Sequence, residues 1–291
     1  MQQVTVRVPA STSNLGPGYD CLGVALRMYN EVTVRRGGDE PEDAMLREAA
    51  ELFFATSGCH AFPFTASISG DVPISRGLGS SVTVRLGLMH GLNALADGAL
   101  QRKEIFQLCA ELEGHPDNAA PAEFGGFNVA RDTLHQRFSV SAMLKFVLLI
   151  PDFEVRTSEA RALLPNRIAR EDAVASCGNA CTITAAFASA RYENLRGAFT
   201  DHLHQPYRKK LVPYFDDVVA AAEEAGALGT FLSGSGSTIA AITLRDPDKV
   251  AQAMQQAAGD VPTETRITLT DNQGTVALQT RKPPFKRRPA R

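Results

Sequence analysis

The order strand, glycine-rich loop, helix between residues 64 and 92 constrains this chain more than any other stretch. "FTASISGDVP" at 64–73 reads as a strand and delivers the chain into "PISRGLGSSVT" at 73–83. Beyond it Val82, Leu86, Met89 and Leu92 recur at helical spacing. Gly77 and Gly79 can take backbone angles that other residues resist, and neither puts a side chain between the backbone and a bound group. Ser80 and Ser81 suit a helix N-cap, and the helix beyond points free N–H groups back at the loop. Such an end attracts anions, phosphate among them. A plain glycine turn capping a helix reads the same in isolation, so the rest of the chain has to decide.

At 291 residues the chain can form a sizeable core in two domains. With a net charge of −2, no global field recruits nucleic acid or an anionic membrane. The basic run "RKPPFKRRPAR" at 281–291 reads as a solvated tail. "MQQVTVRVPA" alternates like a strand and lacks the apolar core of a leader, so no signal peptide is expected. No run approaches the roughly 20 apolar residues of a membrane span. Cysteines 21, 59, 109, 177 and 181 are odd in number and lack metal-like pairing, so buried free thiols and a cytoplasmic protein are expected.

The fold class expected is α+β, two antiparallel-rich sheets each backed by helices. "QVTVRVPA" and "NEVTVRRGG" read as strands, and 41–57 as a helix with Pro41 at its start. A short helix at 101–112 leads to the loop of "EGHPDNAAPAEFGGFNV". The nearly continuous apolar run "MLKFVLLIP" at 143–151 reads as a buried strand and sets the boundary. Residues 1–142 form one domain, 143–280 a second, and 281–291 the tail. Helical patterns at 171–198 and 208–225 open the second domain.

Several segments carry chemistry. The loop at 73–83 lacks the lysine of a Gly-x-x-x-x-Gly-Lys-Ser/Thr loop, so backbone N–H groups and serine hydroxyls would hold a phosphate. A serine hydroxyl and one carboxylate are a plausible protein share of a Mg²⁺ site. "ELEGHPDN" at 111–118 offers Glu111, Glu113, His115, Asp117 and Asn118, and Pro116 puts them at a helix end. "SNLGPGYDCLG" at 13–23, with Asn14 and Asp20, allows close backbone approach to a ligand or simply turns a hairpin. "SGSGST" at 233–238 covers a phosphate or only turns the chain. Arg161 and Arg208 offer planar forks for a carboxylate.

Taken together, "VPASTSNLGPGYDCLGVAL", "PISRGLGSSVT", "EGHPDNAAPAEFGGF", "TSEARALLP", "HLHQPYR" and "LSGSGST" resemble, in this chain order, segments of the GHMP family of small-molecule kinases. The likeness is greatest to the branch that phosphorylates homoserine, and it runs from about residue 4 to about residue 245. It implies an N-terminal domain with a left-handed β-α-β unit, a ferredoxin-like C-terminal domain, and a cleft between them. It implies ATP and Mg²⁺ as cofactors and phosphorylation of the homoserine hydroxyl on the route to threonine. The partners implied are ATP and homoserine, with a homodimer allowed and neither nucleic acid nor membrane.

The resemblance also implies roles. Pro73, Ile74, Ser75 and Arg76 lead into a turn of Gly77, Leu78 and Gly79, and Ser80, Ser81, Val82 and Thr83 complete the wrap around the ATP phosphates. Ser81 or Ser80 would reach Mg²⁺ with Glu113 as carboxylate, Glu111 being the other choice. Asn14 would lie near the substrate hydroxyl and Asp20 near the ammonium. Arg161 and Arg208 would clamp the carboxylate, helped by His115, with Thr157 and Asn118 lining the pocket. Asn14, Arg161 and Glu113 are the implied catalytic residues. No dedicated base is expected, since phosphoryl transfer can rely on positioning and charge; Asp117 is the fallback. Val82, Thr83 and Val84 stand where the family commonly has alanines, and Ser235 and Ser237 where it often has Ala and Pro.

Overall fold

β1 (Gln3–Ser13) and β2 (Leu22–Arg36) form a long antiparallel hairpin on which the first half of the chain is assembled. Alternation puts Val4, Val6, Val8, Val32 and Val34 on one face. They pack there against α1 (Ala44–Ser57), α2 (Ser80–Leu95) and α3 (Arg102–Glu113). The register breaks between Pro9 and Ala10, and beyond the break Ala10, Leu22, Val24 and Leu26 face a different core. β3 (Phe64–Gly70) pairs with the C-terminal half of β2. After α4 (Ala119–Phe124), β4 (Phe127–Arg131) pairs with the start of β2, and β5 (Leu134–Phe138) lies beyond it.

The second sheet begins with β6 (Lys145–Pro151). Three helices follow, α5 (Thr157–Ala162), α6 (Arg170–Ser189) and α7 (Gln205–Arg208), and then α8 (Phe215–Glu224). β7 (Gly229–Leu232), β8 (Ile239–Thr243), α9 (Pro247–Ala257) and β9 (Thr263–Thr268) complete it in the order β7-β8-β6-β9, the ferredoxin-like arrangement. Val147 and Leu149 of β6 pack against α8 and α9. Phe146, Leu148 and Ile150 face the other way and join Leu22, Phe127, Ile183 and Phe187. Both faces are covered, which is why β6 reads as an unbroken apolar run rather than an alternation. One core thus spans both sheets and fixes the walls of the cleft.

The computed structural model describes residues 2–278 apart from Glu40 and Thr133, and every strand pair named among them is antiparallel. The basic run 281–291 lies outside the described residues. The expected split at 142/143 falls just before β6, but β10 (Val276–Leu278) returns to pair with β1 in the first sheet. The second unit therefore does not run unbroken to the chain's end. α1 starts at Ala44 rather than at Pro41, because the Asp43 carboxylate accepts from the N–H groups of Met45 and Leu46. The helical pattern at 171–198 stops at Ser189, where Ala190 turns left-handed, and Pro213 splits the pattern at 208–225. The thiols are free but not uniformly buried. Only Cys109 is buried, while Cys177 and Cys181 stand exposed one turn apart on the outer face of α6. A thiol is hydrophobic enough for a core, yet nothing in that spacing says which helix face is covered.

Candidate active site

A cavity of about 700 Å³ opens where the two units meet. The glycine loop forms one wall. Gly79 is the N-cap of α2 at φ 70°, with no side chain closing the helix end. Ser80 and Ser81 are therefore the first helical residues and not caps. Among the described residues, the N–H groups from Gly77 to Ser81 find no backbone acceptor in a turn or loop. An uncapped end with free donors is an anion site.

The loop is braced from behind. The Ser233 hydroxyl donates to Gly77 O at 2.6 Å, Thr238 N–H to Arg76 O, and Ser11 N–H to Leu78 O. A Cβ on Gly77 would overlap Ser233 O, and one on Gly79 would overlap Ser11 Oγ. So the turn at 233–238 props up the glycine loop. The Arg76 guanidinium bonds Pro151 O at 2.8 Å and pairs with Asp152 and Glu154, tying the loop to the second unit. Ile74, Ser75, Leu78 and Val82 line the cavity with the two glycines and two serines; Pro73 and Thr83 do not. The Thr83 hydroxyl is buried, donating to Ser80 O and accepting from Asn30.

Across the first turn of α2, Ser81 Oγ donates to Glu113 Oε2 at 3.0 Å. α3 ends at Glu113 because Gly114 turns left-handed at φ 76°. Of the alternatives left open by sequence, Ser81 and Glu113 are the pair that meets, and Glu111 is exposed outside the cavity. A hydroxyl and a carboxylate are hard oxygen donors that suit Mg²⁺. The other Glu113 oxygen accepts from Arg85 at 2.7 Å. A second group with metal-ligand character, Asp20, His115 and Asp117, has its members otherwise engaged. Asp20 pairs with Arg161, and His115 Nδ1 lies 2.5 Å from Asp117 Oδ1.

The opposite end of the cavity carries the charged groups. Asp20 accepts from Arg161 Nη2 at 2.9 and 3.1 Å. Asn14, left-handed at φ 69° and buried, receives the Asp20 N–H on Oδ1 and donates through Nδ2 to Gly234 O. Tyr19 Oη accepts from both Arg161 and Arg208. Arg208 is only 2% exposed, and among the described residues it forms no ion pair. Its donors reach Gly234 O, Ala160 O, Tyr19 and His204 at 3.1–3.4 Å. Burial lowers its pKa, as it must for a cation taken from water. Burial would also lower the His115 pKa, but its bond to Asp117 and the charge there raise it. Asp117 is correspondingly held below the ordinary carboxylate range despite its burial, by the hydrogen bond and charge of His115. Asn118 accepts from Ser11 and donates to Ser13, clamping the end of β1 to the start of α4. Thr157 lines the cavity from the start of α5.

No role for Tyr19, Ser11, Ser13, Arg85 or His204 follows from the sequence motifs alone. Tyr19 and His204 lie inside the quoted segments, and Arg85 follows Ser81 by one helical turn; spacing was the available signal. His204 is fully buried, its Nε2–H donating to Gly16 O while Nδ1 accepts from Arg208. Only the neutral ring can do both. Burial, opposed by Asp201 and assisted by Arg208, lowers its pKa to about 4. A group with a depressed folded pKa stabilises above its unfolded pKa, near 6.5, and loses that contribution as pH falls toward 4. Thermal stability should fall across this window by up to about 1.4 kcal/mol per pH unit from this group alone. Denaturation of His204→Gln against the parent from pH 8 to 4 checks it: the variant's curve should be flatter between 6.5 and 4.

The model of the GHMP kinases N terminal domain matches residues 44–126, and that of the GHMP kinases C terminal matches 184–260. A homoserine kinase of Clostridium botulinum is 36% identical over 95% of this chain and 99% of its own. One of Caldicellulosiruptor bescii is 37% identical over 98% of this chain and 100% of its own. The crystal structure of homoserine kinase from Cytophaga hutchinsonii superposes with a TM-score of 0.87 at 28% identity, covering 96% of this chain and 98% of that one.

Proposed function

The chain belongs to the GHMP kinases, and on that premise we propose that it transfers the γ-phosphoryl group of ATP to the hydroxyl of L-homoserine, on the route to threonine. One observation carries the choice of substrate. Arg208 is a buried guanidinium with no carboxylate partner among the described residues, beside an Asp20–Arg161 pair. A buried cation lacking an anion is costly unless a ligand supplies one. A zwitterion completes the set: its carboxylate answers Arg208 and Arg161, and its ammonium takes up Asp20. The five free thiols support a cytoplasmic setting.

The loop N–H groups and the open end of α2 would hold the triphosphate, and Ser81 and Glu113 would hold Mg²⁺. When bound, Mg²⁺ neutralises charge on the β- and γ-phosphates. Asn14 holds the Asp20 backbone, which keeps the ammonium site in register with the reacting hydroxyl. The homoserine oxygen attacks Pγ, the bond from Pγ to the bridging oxygen breaks, and the hydroxyl proton leaves to a phosphoryl oxygen or water. Asp117, the fallback base, is engaged by His115, and on this reading catalysis rests on alignment and charge.

ADP release with Mg·ATP across homoserine, serine, threonine and 4-hydroxybutyrate tests the substrate. Homoserine should be used best, and 4-hydroxybutyrate, lacking the ammonium, should lose at least roughly tenfold in kcat/KM. Equal use of the two would remove Asp20 from substrate recognition and point to another hydroxy acid. Glu113→Gln should raise the Mg²⁺ concentration needed for half-maximal rate by roughly tenfold. A titration that overlays the parent's would take Glu113 out of the metal site.

A further inference from the structure

Among the described residues, Arg85 is the one cation in contact with the proposed metal carboxylate. It lies one turn after Ser81 on α2, so both side chains emerge on the face that meets the end of α3. Nη1 donates to Glu113 Oε1 at 2.7 Å and to Leu112 O at 3.0 Å. Nη2 donates to Glu48 Oε2 at 2.9 Å on α1. Its Nε is buried and has no acceptor among the described residues. The Glu48 end is solvent-exposed and contributes little. The Glu113 end is not, for both side chains there are only 12–13% exposed.

We propose that Arg85 is a positioning residue that keeps Glu113 charge-compensated in the nucleotide-free protein, so that a divalent cation enters only together with nucleotide phosphates. This rests on the reading that Ser81 and Glu113 hold Mg²⁺. Alone, Glu113 would present one negative charge beside a hydroxyl, a start toward a bare cation site. With the guanidinium on Oε1 the local charge is near zero, and a 2+ ion approaching Oε2 meets repulsion from Arg85. Mg²⁺ gives up water reluctantly and is held in such sites by one or two carboxylates plus substrate phosphates. The triphosphate supplies the missing negative charge. Meanwhile the fork of Arg85, anchored by the Leu112 carbonyl, holds Oε2 turned toward Ser81. A merely structural tie among α1, α2 and α3 would affect stability without touching metal affinity.

Mn²⁺ binding to the full nucleotide-free chain, followed by electron paramagnetic resonance, separates the two. Arg85→Met should bind Mn²⁺ on the order of tenfold tighter than the parent, as expected on removing a neighbouring positive charge. Arg85→Lys should stay near the parent. Adding Glu113→Gln to Arg85→Met should abolish the gain. Equal Mn²⁺ affinity in Arg85→Met and the parent overturns the proposal, as does a gain that survives Glu113→Gln. If circular dichroism shows Arg85→Met unfolded, Arg85→Gln makes the same comparison. The readout needs no homoserine, so failure of the substrate assignment would leave it standing, and a failure here would leave that assignment intact.

Discussion

Replacing Arg208 with methionine should lower kcat/KM for homoserine by at least about 30-fold, leave the KM for ATP within about twofold, and not lower the melting temperature. The first number follows from losing one partner of a buried charge pair, which costs about 2 kcal/mol or more. The sparing of ATP follows from place: Arg208 contacts Gly234, Ala160, Tyr19 and His204, none of them in the glycine loop. The stability effect has the less familiar sign. In the free protein the guanidinium is desolvated with no carboxylate in contact among the described residues, and its bonds to carbonyls run from 3.1 to 3.4 Å. An apolar chain of similar volume removes that penalty. Parallel kinetics and thermal denaturation decide. An unchanged kcat/KM would sever Arg208 from the substrate, and a clear drop in melting temperature would make it a structural residue.

Gly77→Ala should cut kcat/KM for ATP by at least about 100-fold. Two penalties act together. At φ 71° an L-residue costs roughly 1–2 kcal/mol, and the new Cβ overlaps the Ser233 carbonyl, a backbone atom that cannot rotate aside. The loop or the turn behind it must move, and displacement of about 1 Å in such a site costs on the order of 100-fold. Gly58→Ala is the control. Gly58 has φ 67°, closes α1, and would place its Cβ in open space. It should lose stability by about 1 kcal/mol and keep its ATP kinetics. If both variants behave alike, backbone angle alone explains Gly77, and the bracing by Ser233 is irrelevant.

Much of the first unit was legible in the chain because its signals are local. β1 and β2 alternate, α2 repeats at helical spacing after two glycines, and α3 ends where Gly114 and Pro116 say it should. Signals of the same kind misled at Pro41, which precedes the helix, and at Pro213, which divides one pattern into two helical pieces. Residue type alone favours burial for the thiols of Cys177 and Cys181, but exposure is decided by which face of α6 meets a neighbour.

The amino-acid order determined the glycine loop, because positive backbone angles and an open helix end are properties of neighbouring residues and hold wherever the segment sits. It also determined which polar side chains were available to the site. The tertiary structure alone decided how they pair. Arg161 meets Asp20 across 141 positions, Ser11 and Ser13 meet Asn118 across 107 and 105, and Arg208 is left without an ion pair among the described residues. No period of 2 or 3.6 residues reports such contacts, because they depend on how the two sheets close over one core. That closure sets Arg85 against Glu113, and leaves beside Asp20 a buried guanidinium, Arg208, with no ion pair among the described residues.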